Sequence, residues 1–363
     1  MQTLTESAFR RPPIRLLLLA VAAFLLGSLL PPLVIAQLKP LPADLREDYV
    51  TRPADTVVLS PAAIGSGEVP DQNRDRPECR GGTFPDVPYP CLVLETTTHR
   101  DVAVATSEAA ESGEVDVRAT TQLRAGEDVL VEVRDHLRLD SRSTYPVTDP
   151  VSRVETSVAG TVGDTGTGDF VREGLQYFFP FPPERRSYPY HDLIAEQPLL
   201  LDYVRETDRA GTETFEFHHT FTALPLSDPD DNRPRPAEER GGVLEAVGTW
   251  GLGAPWYAVE RTVWLDPESG TLVDSEEKVH VYLAADRAEA EARAFDPDPE
   301  FTVLHTSFVW DGDTRARQHA AAADVSATLR VLQILAVVLK TVALAAVIWA
   351  VVLLLRERRG RTP

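Results

Sequence analysis

The chain is short of cysteine, of lysine and of positive charge. It has two cysteines in 363 residues, Cys79 and Cys91. A zinc site built on them would need His or Cys partners nearby, and none adjoin them. The lysines are Lys39, Lys278 and Lys340, so nearly every basic residue is Arg, a compositional sign of a GC-rich genome. Basic residues number 36 against 56 acidic ones, a formal net charge of −20. Such a surface repels phosphate backbones and anionic headgroups, which excludes a nucleic-acid partner. Signatures of catalysis are missing too. There is no HExxH, GxSxG, Walker or GxGxxG pattern, so no enzymatic activity, cofactor or metal is assigned.

Apolar length is abundant, and it sits at the two ends. Leu16 to Leu30 is almost unbroken and continues past Pro31 and Pro32 through Leu33, Val34 and Ile35. Val331 to Leu355 is a second run, interrupted by Gln333, Lys340 and Thr341. A bilayer core about 30 Å thick needs roughly 20 helical residues, so both runs can span. Arg10, Arg11 and Arg15 precede the first, and Arg356, Arg358, Arg359 and Arg361 follow the second. Cations collect on the cytoplasmic side. The expected arrangement is a two-pass plasma-membrane protein with both termini cytoplasmic and the middle outside. A competing reading of the first run stays open. "VIA" at Val34 to Ala36 satisfies the small-residue rule for signal-peptide cleavage, and either way the middle is exported. No Cys follows that run, which excludes a lipoprotein anchor there. The ends hold Glu6 and Glu357 against nine cations, so the exported part is more acidic than the chain as a whole. An exported setting permits oxidation, and Cys79 and Cys91 then pair, closing a loop worth roughly 3 kcal/mol.

Between the runs the pattern has a period of two. Val129, Val131, Val133, Leu137 and Leu139 share one face, with Glu132, Arg134, His136 and Arg138 on the other. Phe215, Phe217, Phe221 and Ala223 alternate with Thr214, Glu216, His218, Thr220 and Thr222. Such alternation marks half-buried antiparallel strands. "VRDHLRLDSRSTYPV" from Val133 and "VERTVWLDPESGTLV" from Val259 resemble each other. Each reads as a strand, Leu-Asp, a Ser-containing turn and a further extended run: an internal duplication, or two hairpins obeying the same rules. Loops are expected at residues 65–76, 160–169 and 227–242. Helix is expected from Ala284 to Phe295 and from Asp313 onward, the latter running unbroken to Leu355, about 43 residues or near 64 Å. The fold expected is mainly β, with a large antiparallel sheet or barrel-like ectodomain between two transmembrane helices. The segments are a tail (1–15), helix one (16–38), the β domain (39–312), a helical stalk (313–330), helix two (331–355) and a basic tail (356–363). Lys340, nine residues into the second run, is an intramembrane charge. It is functional by default or snorkels outward on its stem.

Three features, "GLQYFFPFPPERRSYPYHD" from Gly174, "YAVERTVWLDPESGTLVDSEEK" from Tyr257, and the frame of two terminal apolar helices, together resemble an actinobacterial two-helix cell-envelope family. It is a domain of unknown function some of whose members carry the label porin PorA. The resemblance covers about Leu16 to Leu355. The frame also looks like that of class B scavenger receptors, whose two helices hold a β-rich ectodomain threaded by a lipid tunnel. That likeness of architecture implies lipid binding or transfer without demonstrating it.

The aromatic stretch from Leu175 to Asp192 bears on that implication. Pro180, Pro182, Pro183 and Pro189 forbid helix and favour an extended ribbon. Its rings, Tyr177, Phe178, Phe179, Phe181, Tyr188 and Tyr190, either pack as a core strap or line an apolar ligand mouth. His191 and Asp192 lack a nucleophile and the geometry of a triad. Asp164-Thr165-Gly166 spells the aspartic-protease tripeptide, but no second copy exists for the shared proton. His218 and His219 alternate faces. Asp228, Asp230, Asp231, Asp296, Asp298, Asp311 and Asp313 fit no EF-hand loop and read as turns. The functional expectation is an extracytoplasmic binding module for lipid or another apolar ligand. The alternative is a structural, interaction or porin-family envelope protein with protein partners or self-association.

Overall fold

The computed structural model describes residues 12–159, 165–226, 247–248 and 250–359. They form two compact units, Leu41–Ala322 and the two chain ends. Helix α1 (Pro12–Leu38) opens the chain and continues through Pro31 and Pro32. The strands follow from the alternation. They are β1 (Arg46–Val50), β2 (Ala54–Leu59), β3 (Val93–Glu108), β4 (Glu114–Ala125), β5 (Asp128–Asp140), β6 (Arg153–Val158) and β7 (Thr165–Gly166). The later ones are β8 (Tyr188–Asp192), β9 (Gln197–Arg209), β10 (Thr212–Pro225), β11 (Ala254–Leu265), β12 (Leu272–Ala284) and β13 (Thr302–Val309). A short helix α2 (Arg287–Arg293) falls inside the helical stretch expected near Ala284, capped by Asp286, whose side chain accepts the Glu289 N–H at 2.9 Å.

All the strands belong to one 13-stranded sheet, mainly β as expected. Its order is β7-β6-β5-β4-β3-β2-β13-β12-β11-β10-β9-β8, with β1 branching onto β3, and neighbouring strands pair antiparallel throughout. Sequence neighbours pair through short hairpins. Between β9 and β10, Ala210 and Gly211 both take positive φ, 53° and 83°, the two-residue turn whose twist matches its strands. One joint is long-range. Val57 and Val58 on β2 pair with His305 and Leu304 on β13, fusing the meander of the first half to that of the other. The disulfide closes as expected between Cys79 and Cys91, with Cα atoms 5.4 Å apart. Beside it, Asn73 donates to the carbonyls of Cys91 and Val93 at 2.9 and 2.8 Å.

The last helix, α3 (Gly312–Arg359), is one piece of 48 residues. It starts a residue earlier and ends four later than the pattern suggests. Its first turns belong to the sheet unit. Thr314 accepts the Val50 N–H at 3.1 Å and Gln318 donates to Glu47 at 2.6 Å. Stretches within α1 and α3 are long and apolar enough to cross a membrane. In the helical unit the two meet at Gly27. A Cβ there would sit 3.0 Å from Leu339 Cβ and 3.1 Å from the Ala336 carbonyl oxygen, the close approach that small residues permit.

Candidate functional site: a buried strap and its anchors

Residues 167–187 connect β7 to β8, the two ends of the strand order. A single segment reaches both ends because the sheet curls around it. Ser152, just before β6, bridges to Phe170, and Leu175 bridges to Tyr190 on β8. A buried ion pair holds each end of this strap. At its start, Arg172 grips Asp135 of β5 through two parallel bonds of 2.5 and 2.9 Å, and also donates to Gln176 at 2.9 Å. The two charged side chains are 0% and 1% exposed. Tyr177 donates its hydroxyl to the same carboxylate at 2.9 Å. At the other end, Asp192 accepts from Arg261 of β11 at 2.9 Å. Arg261 donates to Glu277 of β12 at 2.6 Å, and Arg100 of β3 caps that carboxylate at 2.8 Å.

The expected ligand-contacting rings lie between these anchors. Phe179 and Tyr188 are buried with Leu175, Leu201, Phe215, Phe217, Val263 and Leu265. Tyr177 and Phe178 are half-buried against another cluster containing Tyr49, Val104, Leu137 and Trp310. Tyr190 lies under the Arg261 guanidinium, 4.7 Å from ring centre to carbon. Phe181 is half-buried. Five of the six rings, Phe181 excepted, thus pack against buried apolar side chains of the sheet, where burial of aromatic area dominates core energetics.

The two mutually similar stretches are the strap's walls, and they fold alike. Asp140 accepts the Arg142 and Ser143 N–H groups at 3.1 and 2.8 Å. Asp266 accepts those of Glu268 and Ser269 at 3.1 and 2.7 Å. Thr144 and Gly270, the residues four further on, both take positive φ, 60° and 72°. Gly270 also abuts the strap, since a Cβ would fall 2.4 Å from the Pro180 carbonyl oxygen. Five residues before each turn Asp stands Asp135 in one copy and Arg261 in the other. The same position thus bears opposite charges, and the strap presents the complement of each.

From the sequence, Asp192 reads only as a candidate catalytic neighbour of His191; Arg172, Asp135 and Arg261 are not among the sequence-based expectations, although a signal for the last two exists. Asp135 interrupts the apolar face Val131, Val133, Leu137, Leu139, and Arg261 interrupts Tyr257, Val259, Val263, Leu265. A charge on the inward face of a strand is rare unless it is paired. The electrostatics follow from burial. His191 is held down at about 4 by desolvation and then by Arg172. His219, whose Nε2 lies 3.2 Å from Arg261, falls to about 4 for the same two kinds of reason, burial and the Arg261 charge. Burial pushes Glu277 up, but Arg261 and Arg100 outweigh it and hold the carboxyl at about 2.

The remaining candidates take structural places. His191 Nδ1 meets the Glu173 carbonyl at 3.2 Å while Asp192 faces Arg261, so the two do not act together. Asp164 and Asp228, Asp230 and Asp231 lie outside the described residues; Thr165 and Gly166 form β7. Asp298 accepts the Glu300 N–H and Asp311 that of Thr314, at 2.9 and 2.7 Å, as turn carboxylates do. His218 bonds Thr262 and Thr220 at 2.9 and 3.0 Å on the face opposite His219. An open cleft on the outer face of β4–β6 is lined by Arg118, Arg134, His136, Arg138, Arg153 and Asp169. Part of its charge is matched locally, Arg138 to Asp116 at 2.7 Å and Arg153 to Asp169 at 2.9 Å.

Comparison with known proteins covers most of the chain. A protein of Corynebacterium amycolatum named porin PorA is 24% identical over 353 residues, covering 87% of this chain and 91% of that one. A porin PorA of Corynebacterium resistens is 26% identical over 385 residues, covering 87% and 89%. The family model described as porin PorA matches residues 13–352, from the first apolar helix through the sheet and into the last. The chain belongs to the porin PorA family.

Proposed function

We propose that this chain is a two-pass cell-envelope protein whose β domain stands outside the plasma membrane as an interaction body for other envelope components. One observation carries the reading. Among the described residues, the exposed large apolar side chains outside the two long helices are Val171, Leu200, Val204 and Leu252. A strand-built pore needs a continuous lipid-facing apolar band around its outside. Here outward strand positions hold charges such as Glu132, Arg134, Arg205 and Glu216, a surface made for water. The name porin belongs to the relatives; in this chain lipid contact falls to the helices. The strap supports the same reading over lipid transfer, because the rings that would form an apolar mouth are spent on packing. Arg15 before the first span and Arg356, Arg358 and Arg359 after the second support cytoplasmic termini, and the disulfide fits an oxidising compartment.

Topology can be tested with the full chain in cells stripped of their outer layer. No free cysteine occurs among the described residues, so Glu111→Cys, in the exposed turn between β3 and β4, gives a single reporter thiol. A membrane-impermeant maleimide should label it without permeabilisation, while a cytoplasm-dependent reporter fused after Pro363 should be active. Labelling that requires detergent, or an inactive reporter, contradicts the reading.

A further inference from the structure

The second apolar run carries a charge that its own membrane segments leave unanswered. Lys340 lies nine residues beyond Val331, about 13 Å below the outer edge of that run at 1.5 Å per residue. An independent estimate of depth comes from α1. The Lys340 Cγ lies 3.5 Å from where a Cβ on Gly27 would stand. Gly27 is eleven residues past Leu16, about 16 Å from the inner edge. In a core about 30 Å thick both measures put the start of the Lys340 side chain near the midplane. Val331, Ile334, Leu335, Val337 and Val338 are exposed apolar side chains above it, so this stretch must stay in lipid. An extended lysine side chain, about 6 Å long, falls short of the outer headgroups from there.

Gly27 receives the stem, while the Lys340 side chain as a whole is exposed. It lies at the border of two faces of α3. Ala343 and Ala350 are buried on one side of it, and Gln333, Val337 and Leu344 form an exposed stripe on the other. Neither Leu16–Leu38 nor Val331–Leu355 contains Asp or Glu. A second copy of this chain therefore brings no carboxylate to that depth. An ammonium in hydrocarbon is rare, pairs with a complementary group, and marks function.

We propose that the Lys340 stripe docks a membrane helix of a different protein, one that carries an Asp or Glu near the bilayer midplane. This rests on the two-pass reading above, and the test separates the two. A photo-crosslinking amino acid replaces Val337 in the full chain, in its native membranes, and adducts are scored in the carbonate-resistant fraction. The expected result is one discrete adduct that survives Lys340→Arg, falls about tenfold in Lys340→Leu, and disappears when the acidic residue in the identified partner helix is changed to Leu. Absence of an adduct, an adduct indifferent to Lys340→Leu, a second copy of this chain, or labelled lipid alone overturns the proposal while leaving the anchoring intact. Extraction of the chain by carbonate overturns the anchoring itself, and the proposal with it.

Discussion

Replacing Arg172 with Met should destabilise the sheet unit by about 3–5 kcal/mol, because Asp135 would remain buried with its charge uncompensated. For a domain of this size that corresponds to a fall in Tm on the order of 10 °C, measurable by thermal unfolding of the detergent-solubilised chain. The cause is specific. Asp135 is 1% exposed and takes both guanidinium nitrogens of Arg172, and Tyr177 alone would be left to answer it. The double variant Arg172→Met with Asp135→Leu separates this mechanism from loss of packing. Removing both charges should restore most of the stability, since apolar replacements of buried pairs are often neutral or stabilising. If the double variant is as unstable as the single, the pair is not what anchors the strap. Arg261 occupies the equivalent position in the stretch that begins at Val259. Arg261→Met should also be damaging, leaving Glu277 with Arg100 alone and Asp192 with the Tyr257 hydroxyl and the Ile194 and Ala195 N–H groups but no cation.

Mild acid should destabilise the sheet unit through its buried histidines. His191 and His219 are buried and held at about 4, and His280 at about 3, through desolvation first and then His305 and Lys278. In the unfolded chain each would take its proton near 6.5. Above that pH both states are neutral at these sites and no stability depends on them. Below it the unfolded state binds protons that the folded state refuses, so stability falls with pH from about 6.5 down to about 4. By pH 5 each histidine costs about 2 kcal/mol, and the three together about 6. Glu277 acts later. Its folded value near 2 contributes stability above the unfolded value of about 4.5, and that contribution fades as pH drops toward 2. Urea midpoints measured from pH 7.5 to 5 should therefore decline steeply, and His219→Gln should remove roughly a third of the slope. A flat profile between pH 7 and 5 would contradict the burial of these rings.

Much of this architecture is legible in the chain because it is written in local periods. The face shared by Phe215, Phe217, Phe221 and Ala223 needs only alternation to be read, and β10 takes it up from Thr212 to Pro225. The apolar ends and the late helix are equally local, though their limits shift by a few residues because charged flanks such as Arg356 and Arg358 extend a helix without being apolar. The pairing of Cys79 with Cys91 needs only compartment and spacing. What resisted reading is the long-range part. Nothing near Val57 announces that it will pair with His305. The strap is harder still. Its prolines remove the periodic signal, so the side that each ring faces depends on Asp135 and Arg261, far away in the chain. Those two residues are legible only as exceptions to an apolar face, and an exception can be read only once the rule around it is trusted.

Native mass spectrometry of the detergent-purified full chain, followed by extraction and quantitation of bound lipid, decides between strap and ligand site. If the rings are spent on packing against the sheet, lipid should strip away with increasing activation and leave no one-to-one complex. A lipid retained at one per chain, and lost on changing Phe178 to Ser in a protein that stays folded, would mean the stretch lines a ligand site and is not a strap.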